Sequence, residues 1–349
     1  MRIISAASAF PEHRYKQQAI TGALKKNWAD RLASPDVLDR LHSRTGVDYR
    51  HMVLPLQAYE RIDSWGKANS LWIEAAQRLA KTALCRAMVN PGMVARELNA
   101  LIFVSVTGVA SPSIDAKLVN LLGLSPNVKR MPIFGLGCVA GAAGVARAAD
   151  YVRAFPDQIA ALVSVELCSL TWQRDDLSVA NLISAGLFGD GAAAVLVAGA
   201  DTKYEGPEIL ATRSVFYPNT EDVMGWDISE KGFQIVLSAD VPKVVREHLR
   251  QDVDSFLADH GLTRGDIASW IIHTGGPKVL EAVQDSLELP QDALRTSWDC
   301  LRRVGNLSSA SVLVVLEDIL KSGGGETGTY SVLAAMGPGF CSELLLLRW

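Results

Sequence analysis

One cysteine stands between glycines at the start of a long run of small residues. The segment Pro132–Asp150 opens with a short apolar, strand-like run, and Cys138 then precedes a stretch rich in Ala, Gly and Val. Small side chains let a helix approach neighbouring backbone closely, so the pattern predicts a buried helix over 139–154. At the start of that helix, free N–H groups and the helix dipole favour an anion. The position predicts a nucleophilic thiol that ionises more readily than the reference pKa of about 8.5. The alternative is that Cys138 is a small core residue, as most free cysteines are.

A histidine and an asparagine occur at related points of the second half of the chain. His273 follows the strand-like run 270–272, and Asn306 precedes an apolar helix predicted over 307–321. A histidine can hold a cysteine as a thiolate, and both side chains can donate hydrogen bonds to a thioester oxygen. Taken singly, His273 is explained by a core histidine and Asn306 by a helix N-cap. The three residues together predict acyl transfer on Cys138.

The elements that must position these residues alternate between strands and helices. The first half is predicted to contain an N-terminal strand, strands at 101–108, 159–166 and 192–198, and helices at 66–90, 115–123 and 139–154. The second half is predicted to contain strands at 208–217, 270–276, 330–336 and 341–347, and helices at 241–260 and 307–321. This alternation is typical of an α/β sheet covered on both faces. Residues 15–60 are predicted to be helical and polar.

The second half repeats the first, and the predicted division is therefore 1–200 and 201–349. The run Val104–Gly108 corresponds to Ile271–Gly275, and the helix after Cys138 corresponds to the helix after Asn306. If a pseudo-twofold axis relates the halves, the starts of two buried helices meet. Cys138 and Asn306 would then face the same small volume, with His273 at a strand end beside them.

Composition excludes several classes of protein. The 349 residues are 49% hydrophobic and 21% charged with a net charge of −4, and no basic run indicates a nucleic-acid partner. Five cysteines at unrelated spacings argue against a disulfide framework or a metal site, and they favour a reducing compartment such as the cytoplasm. The longest apolar region, 182–200, is interrupted by glycines and Asp190, so no membrane-spanning helix is expected there.

Four short motifs occur around the three candidate residues and near the C-terminus. They are Gly137–Gly141, His273–Pro277, Gly305–Ala310 and Gly337–Gly339, and they are joined by the turn Leu187–Ala194 and the pair Gly232–Phe233. In this order and spacing, from about residue 40 to the C-terminus, they resemble the type III polyketide synthases, the chalcone-synthase-like family, and its bacterial members in particular. The resemblance implies a thiolase-like α/β fold, with two αβαβα halves in five layers, that works as a homodimer.

The resemblance also implies roles for single residues. Cys138 would carry the starter acyl group and the growing chain, while His273 and Asn306 would bind malonyl thioester carbonyls and promote decarboxylation. Phe188 and Phe233 would be gatekeepers between a CoA tunnel and the reaction cavity, although either one alone is explained as a core residue. The residues implied to contact substrate are Val106, Thr107, Thr171, Met224, Gly225, Ser308, Gly337, Pro338 and Gly339. Arg40 and Arg44 stand where the family places cations for the CoA phosphates, although a solvated helix face is the alternative. The substrates would be acyl-CoA and malonyl-CoA, with no further cofactor and no metal.

Three other functions remain open at this point. A type III ketoacyl synthase shares the fold and the three residues but condenses once, with acyl carrier protein. A catalytically silent acyl-binding subunit would have no chemical need for all three residues. A thiolase would need a second catalytic cysteine, and Cys341 is better explained as strand core. Val106 makes the pocket wall less polar than the plant pattern and favours an aliphatic starter, but the starter, the number of extensions and the ring closure stay open.

Overall fold

The computed structural model describes residues 1–28, 31–32, 34 and 36–349. The strands are β1 (Arg2–Ala9), β2 (His13–Lys16), β3 (Tyr49–Met52), β4 (Ala100–Val104), β5 (Lys129–Ile133), β6 (Ile159–Leu167), β7 (Asp190–Ala198), β8 (Glu208–Phe216), β9 (Met224–Ser229), β10 (Gly232–Leu237), β11 (Ile267–Ile272), β12 (Tyr330–Gly337) and β13 (Cys341–Arg348). The helices are α1 (Gln17–Trp28), α2 (Asp36–His42), α3 (Trp65–Val89), α4 (Ile114–Leu122), α5 (Ala140–Ala154), α6 (Val179–Leu187), α7 (Val241–Ala258), α8 (Pro277–Leu287), α9 (Arg295–Val304) and α10 (Ser311–Lys321).

The sheet shows the duplication that the sequence predicts. In the part of the chain that the structure describes, strands pair in the order β11-β12-β13-β8-β1-β7-β6-β4-β5. The run β4-β6-β7-β1 has one parallel and then two antiparallel pairings, and β11-β12-β13-β8 has the same pattern. The two halves meet edge to edge through a single register pair, Arg2 with Glu208. Each half is therefore the same supersecondary unit, and β5 is an additional edge strand of the first.

The helices form layers on both faces of these sheets. Helix α3 packs on β1, β6 and β7 from one side, and α5 packs on β4, β6 and β7 from the other. Helix α5 also contacts β8, β12 and β13, and α10 contacts strands of both halves, so these two helices form a middle layer. The core around α7 and α8 covers the outer face of β11–β13. The result is the five-layered, thiolase-like arrangement.

Small residues explain how the middle layer fits. A Cβ added at Gly141 would lie 2.1 Å from the carbonyl oxygen of Ser309, and one at Gly144 would lie 2.5 Å from the Leu162 side chain. Helix α5 thus touches both the start of α10 and the sheet beneath it. This confirms the predicted reason for the run of small residues.

Most of the predicted elements are present, and one region was predicted wrongly. Residues 15–60 are not simply helical and polar, because β2 and β3 pair there and Arg50 on β3 is fully buried. The hairpin β9–β10 and helices α6, α8 and α9 were not predicted. Among the described residues, no helix has the length and apolar character needed to cross a membrane. The division at residue 200 stays a prediction.

Candidate active site

The side chains of Cys138, His273 and Asn306 line one cavity of about 460 Å³. Cys138 lies in the 3₁₀ turn before α5, His273 directly follows β11, and Asn306 lies between α9 and α10. All three side chains are buried, with at most 5% of their surface exposed. The cavity has the size of an ordinary small-molecule site. The structure therefore brings these three predicted residues together.

The turn that carries Cys138 rests on the Gly337–Pro338 segment. Gly137 has a φ of +53°, which favours glycine, and a Cβ there would lie 2.6 Å from Cδ of Pro338. A Cβ on Gly337 would lie 2.6 Å from the backbone nitrogen of Val139. Gly337 and Pro338 support the cysteine turn in this way, and they are not among the cavity-lining residues.

The thiol of Cys138 is neutral in the free protein. Burial raises the pKa of Cys138 to about 12, the hydrogen bond to Ser308 lowers it, and the nearby charge of Glu166 raises it further. The Sγ atom donates to Ser308 Oγ at 3.6 Å. The predicted ease of ionisation is therefore wrong for the free protein, because removal of the thiolate from water outweighs the helix start.

His273 is also neutral. Burial lowers the pKa of this imidazole to about 4. Its Nδ1 is buried without a hydrogen-bond partner among the described residues. No hydrogen bond joins His273 to Cys138 in the described part of the chain, so the thiolate–imidazolium pair predicted from the sequence is not the resting state. A neutral imidazole can accept a proton, which a charged one cannot.

The amide of Asn306 is oriented by its own turn. Its Oδ1 accepts hydrogen bonds from the N–H of Ser308 at 2.7 Å and from the hydroxyl of Ser311 at 3.3 Å. Its Nδ2 has one long contact, 3.4 Å to the carbonyl oxygen of Gly275, which also lines the cavity. Asn306 lies two residues before the 3₁₀ turn Ser308–Ala310 and not at the helix start as predicted. With the oxygen engaged, the N–H₂ group is the part free to meet a ligand.

The two predicted gatekeepers lie in different surroundings. Phe188 lines the cavity, and its backbone forms a bridge with Asn306. Phe233 is buried and packs against the rings of Trp65, Phe134 and Trp226, with centroids about 6 Å apart. Phe233 is not among the residues that line the cavity.

The other predicted substrate contacts lie in different surroundings. Met224 and Arg44 line the cavity, and Ser308 contacts the thiol. Thr171 lines a separate small pocket that shares Phe188 with the cavity. The remaining predicted residues, which do not line the cavity either, are Val106, Thr107, Gly225, Gly339 and the exposed Arg40.

Glu166 is a buried acid that the sequence analysis did not single out. It accepts hydrogen bonds from the Thr107 hydroxyl at 2.9 Å and the Val106 N–H at 3.1 Å, and also from the hydroxyl of Ser309. Burial raises its pKa to about 7, against the effect of these hydrogen bonds. Thr107 and Val106 therefore hold this carboxyl group. The feature of the sequence that could have revealed Glu166 is its position as a single acid at the end of an otherwise apolar strand.

The lining of the cavity combines two exposed cations with apolar walls. Arg44 and Lys278 are exposed cationic residues on its lining. Helices α7 and α8 and strand β12 supply the apolar walls, with Val245, Leu249, Val279, Val283, Ala334 and Met336. Such a cavity suits a ligand with an anionic end and an apolar arm.

A duplicated five-layer fold with a cysteine, a histidine and an asparagine at one cavity defines a thiolase-like acyltransferase. Comparison with known proteins narrows this class. Residues 2–202 match the N-terminal domain of chalcone and stilbene synthases, and residues 208–349 match their C-terminal domain. The chain therefore belongs to the chalcone and stilbene synthase family, and it is a type III polyketide synthase.

Several of the similar proteins are bacterial synthases whose names give an aromatic product. The chain is 49% identical to a 1,3,6,8-tetrahydroxynaphthalene synthase of Streptomyces peucetius subsp. caesius, over 99% of this chain and 93% of that protein. It is 32% identical to a phloroglucinol synthase of Pseudomonas fluorescens, over 97% of each chain. The crystal structure of the 1,3,6,8-tetrahydroxynaphthalene synthase of Streptomyces coelicolor A3(2), a bacterial type III polyketide synthase, superposes with a TM-score of 0.95 at 32% identity, covering 100% of this chain and 99% of that one. These similarities favour polyketide synthesis over the single-condensation alternative.

Proposed function

We propose that this enzyme condenses malonyl-CoA units on Cys138 and cyclises the chain to a polyhydroxylated aromatic product. The observation that carries the proposal is the single cavity lined by Cys138, His273 and Asn306. The similarity to synthases of tetrahydroxynaphthalene and phloroglucinol supports an aromatic product.

Loading begins from neutral groups. When an acyl thioester occupies the cavity, His273 accepts the Cys138 proton and the thiolate attacks the carbonyl carbon, displacing CoA thiolate. The low pKa of His273, about 4, keeps the imidazole unprotonated at neutral pH, but it also makes the ring a weak base towards a thiol whose pKa is about 12. Burial makes a free thiolate costly, so proton transfer is coupled to binding.

Extension uses the hydrogen-bond donors of the same cavity. Asn306 Nδ2 and the His273 ring hold the carbonyl oxygen of the malonyl thioester, where negative charge develops as CO₂ leaves. The resulting enolate attacks the acyl group on Cys138 and transfers it to the incoming unit. The apolar walls favour loss of a carboxylate as neutral CO₂. The extended chain then returns to Cys138.

The starter is inferred from the products of the relatives. The naphthalene and benzene skeletons of tetrahydroxynaphthalene and phloroglucinol can be assembled from two-carbon units, with oxygen on alternate carbons around the rings. No carbon needs a starter other than malonyl. We therefore propose that malonyl-CoA serves as both starter and extender.

An aliphatic acyl-CoA is the second candidate starter. The apolar walls from α7 and α8 favour it, because apolar surface binds an alkyl chain without leaving polar groups unpaired. Arg44 and Lys278 suit the phosphates of CoA with either starter. The homodimer, the cytoplasmic location and the absence of a further cofactor remain proposals drawn from the family resemblance and the composition.

The test is incubation with malonyl-CoA alone and with malonyl-CoA plus butyryl-, octanoyl- or palmitoyl-CoA, with the products identified by mass spectrometry. We expect an aromatic product from malonyl-CoA alone. Pyrones or resorcinols formed only with an acyl starter would instead establish the second candidate.

Two controls complete this experiment. Cys138→Ala should give no extended product while keeping its unfolding midpoint. A reaction that requires malonyl-acyl carrier protein and stops after one condensation would contradict the proposal.

A further inference from the structure

A fully buried arginine lies beneath the junction of the cavity wall and Asn306. Arg50 on β3 has none of its surface exposed, and it forms no ion pair with a carboxylate in the described part of the chain. Burial lowers the pKa of Arg50 to about 10, which leaves the side chain charged at neutral pH. The negative charge of Asp190, which does not contact the guanidinium, raises this pKa. A buried charge without a contacting counter-ion is expensive. An apolar side chain of similar volume would avoid this cost.

Two nitrogens of the guanidinium donate hydrogen bonds, and Nη2 is buried without a hydrogen-bond partner among the described residues. Its Nη1 donates to the carbonyl oxygen of Phe188 at 2.7 Å, and its Nε donates to Gln17 Oε1 at 3.1 Å. Gln17 in turn donates to the carbonyl oxygen of Gly186 at 2.6 Å. The segment Gly186–Phe188, whose last side chain lines the cavity, is thus fixed from below at two carbonyl groups.

The same segment is joined to Asn306. The N–H of Asn306 donates to the Leu187 carbonyl, and the N–H of Gly189 donates to the Asn306 carbonyl, both at 2.9 Å. The arginine stem fills the space below this bridge, since a Cβ on Gly305 would lie 3.2 Å from Arg50 Cγ. A displacement of Phe188 is therefore passed directly to the backbone of Asn306.

The structure assigns to Arg50 the role of a positioning residue that fixes Asn306 and Phe188 for the extension step. This inference rests on the proposed function, in which Asn306 binds the malonyl thioester. The Cys138 turn has its own support from Gly337 and Pro338, in addition to the contact between its thiol and Ser308. Loss of the Arg50 side chain should therefore impair extension and leave the reactivity of Cys138 in place.

The test measures two rates in Arg50→Met and in the wild type, the rate of CO₂ release and the rate of alkylation of Cys138. We expect CO₂ release from carboxyl-labelled malonyl-CoA to fall about tenfold or more, since small misplacements of catalytic groups cost that much. Alkylation of Cys138 by iodoacetamide should stay within about twofold of wild type, because the cysteine turn does not rest on Arg50. A parallel fall in both rates, or no fall in CO₂ release, would overturn the inference.

Two further variants guard against a failure of folding and against non-specific effects. Arg50→Lys keeps one charged donor and should give an intermediate loss of CO₂ release, and it carries the test if Arg50→Met does not fold. Arg14→Met removes an arginine from the neighbouring strand, where the guanidinium lies 3.9 Å from the ring centroid of Tyr49. That control should change neither rate.

Hydrogen exchange separates this inference from the proposed function. In Arg50→Met, and to a smaller extent in Arg50→Lys, we expect faster amide exchange at 187–189 and 305–307 and unchanged exchange at 137–141. Wild-type protein that releases no CO₂ would contradict the proposed function alone. Unchanged exchange at 187–189 and 305–307 would contradict the role of Arg50 alone.

Discussion

Helices α5 and α10 begin with the same local structure but present different groups to the interior. A 3₁₀ turn precedes each helix, Gly137–Val139 in the first half and Ser308–Ala310 in the second. The first residue of each turn has a left-handed backbone, with φ of +53° at Gly137 and +48° at Ser308. By this equivalence Ser309, and not Asn306, is the counterpart of Cys138.

The difference between the two starts shows how a duplicated fold acquires an asymmetric site. The first start presents a thiol to the cavity, whereas Ser309 of the second donates its hydroxyl to the buried Glu166. The second half contributes Asn306 from before its turn and His273 from a strand end. One half thus supplies the nucleophile, and the other supplies the proton acceptor and the hydrogen-bond donors.

The strongest test of this division of roles is Asn306→Ala. Since the variant removes a donor to the developing oxyanion, CO₂ release from malonyl-CoA should fall about a hundredfold or more. Acyl loading of Cys138 should be retained, because the proposed loading step uses Cys138 and His273 and not the Asn306 amide.

A second buried asparagine provides the control for this variant. Asn181→Ala also removes a buried amide, whose Nδ2 donates to the carbonyl groups of Gln173 and Asp176. In this control, CO₂ release and acyl loading should change by the same factor. Equal losses of loading and CO₂ release in Asn306→Ala would show that the two halves do not divide the chemistry as described.

The next prediction concerns stability, at the contact between the starts of α5 and α10. Gly141→Ala places a Cβ about 2.1 Å from the Ser309 carbonyl oxygen, a backbone atom that cannot move aside cheaply. The free energy of unfolding, measured by urea denaturation, should fall by about 3 kcal/mol.

Gly22→Ala on α1 is the matched control for that substitution. No atom lies within 4 Å of the added Cβ, so we expect a gain of about 0.5–1 kcal/mol from helix propensity. Similar stability changes in both variants would mean that the close contact between α5 and α10 does not restrict side-chain size.

The smallest effect concerns the charge beside the thiol. Alkylation of wild-type Cys138 should rise with pH without a plateau near neutrality, because its pKa is about 12. Glu166 has a pKa of about 7, so its charge, which raises the thiol pKa, is present only above that pH. In Glu166→Gln the alkylation profile should therefore shift to lower pH, with the difference from wild type vanishing below about pH 7. A wild-type midpoint near 8.5 would contradict the dominance of burial.

The sequence predicted the parts of the molecule that depend on local pattern. Helix α5 and strands β4, β6 and β12 follow from small or apolar runs, and the repeated order of strands follows from their alternation. Arg50 and Glu166 could not be recognised in this way, because their partners Phe188 and Ser309 are more than a hundred residues away in the chain. The pKa of the Cys138 thiol was predicted wrongly for the same reason, because residues distant in the sequence surround it. The buried Cys138 contacts Ser308 through its thiol, and Gly137 beside it packs on Pro338, and both contacts come from the other half.

In the proposed reaction, Cys138 carries the growing acyl chain. The most direct measurement is acid quenching of the wild-type enzyme during turnover of malonyl-CoA, followed by proteolysis and mass spectrometry of all cysteine peptides. The proposed role of Cys138 predicts acyl adducts on the peptide that contains Cys138 and none on the peptide that contains the buried Cys168. Product formation with no adduct on Cys138, or with adducts on Cys168, would contradict it.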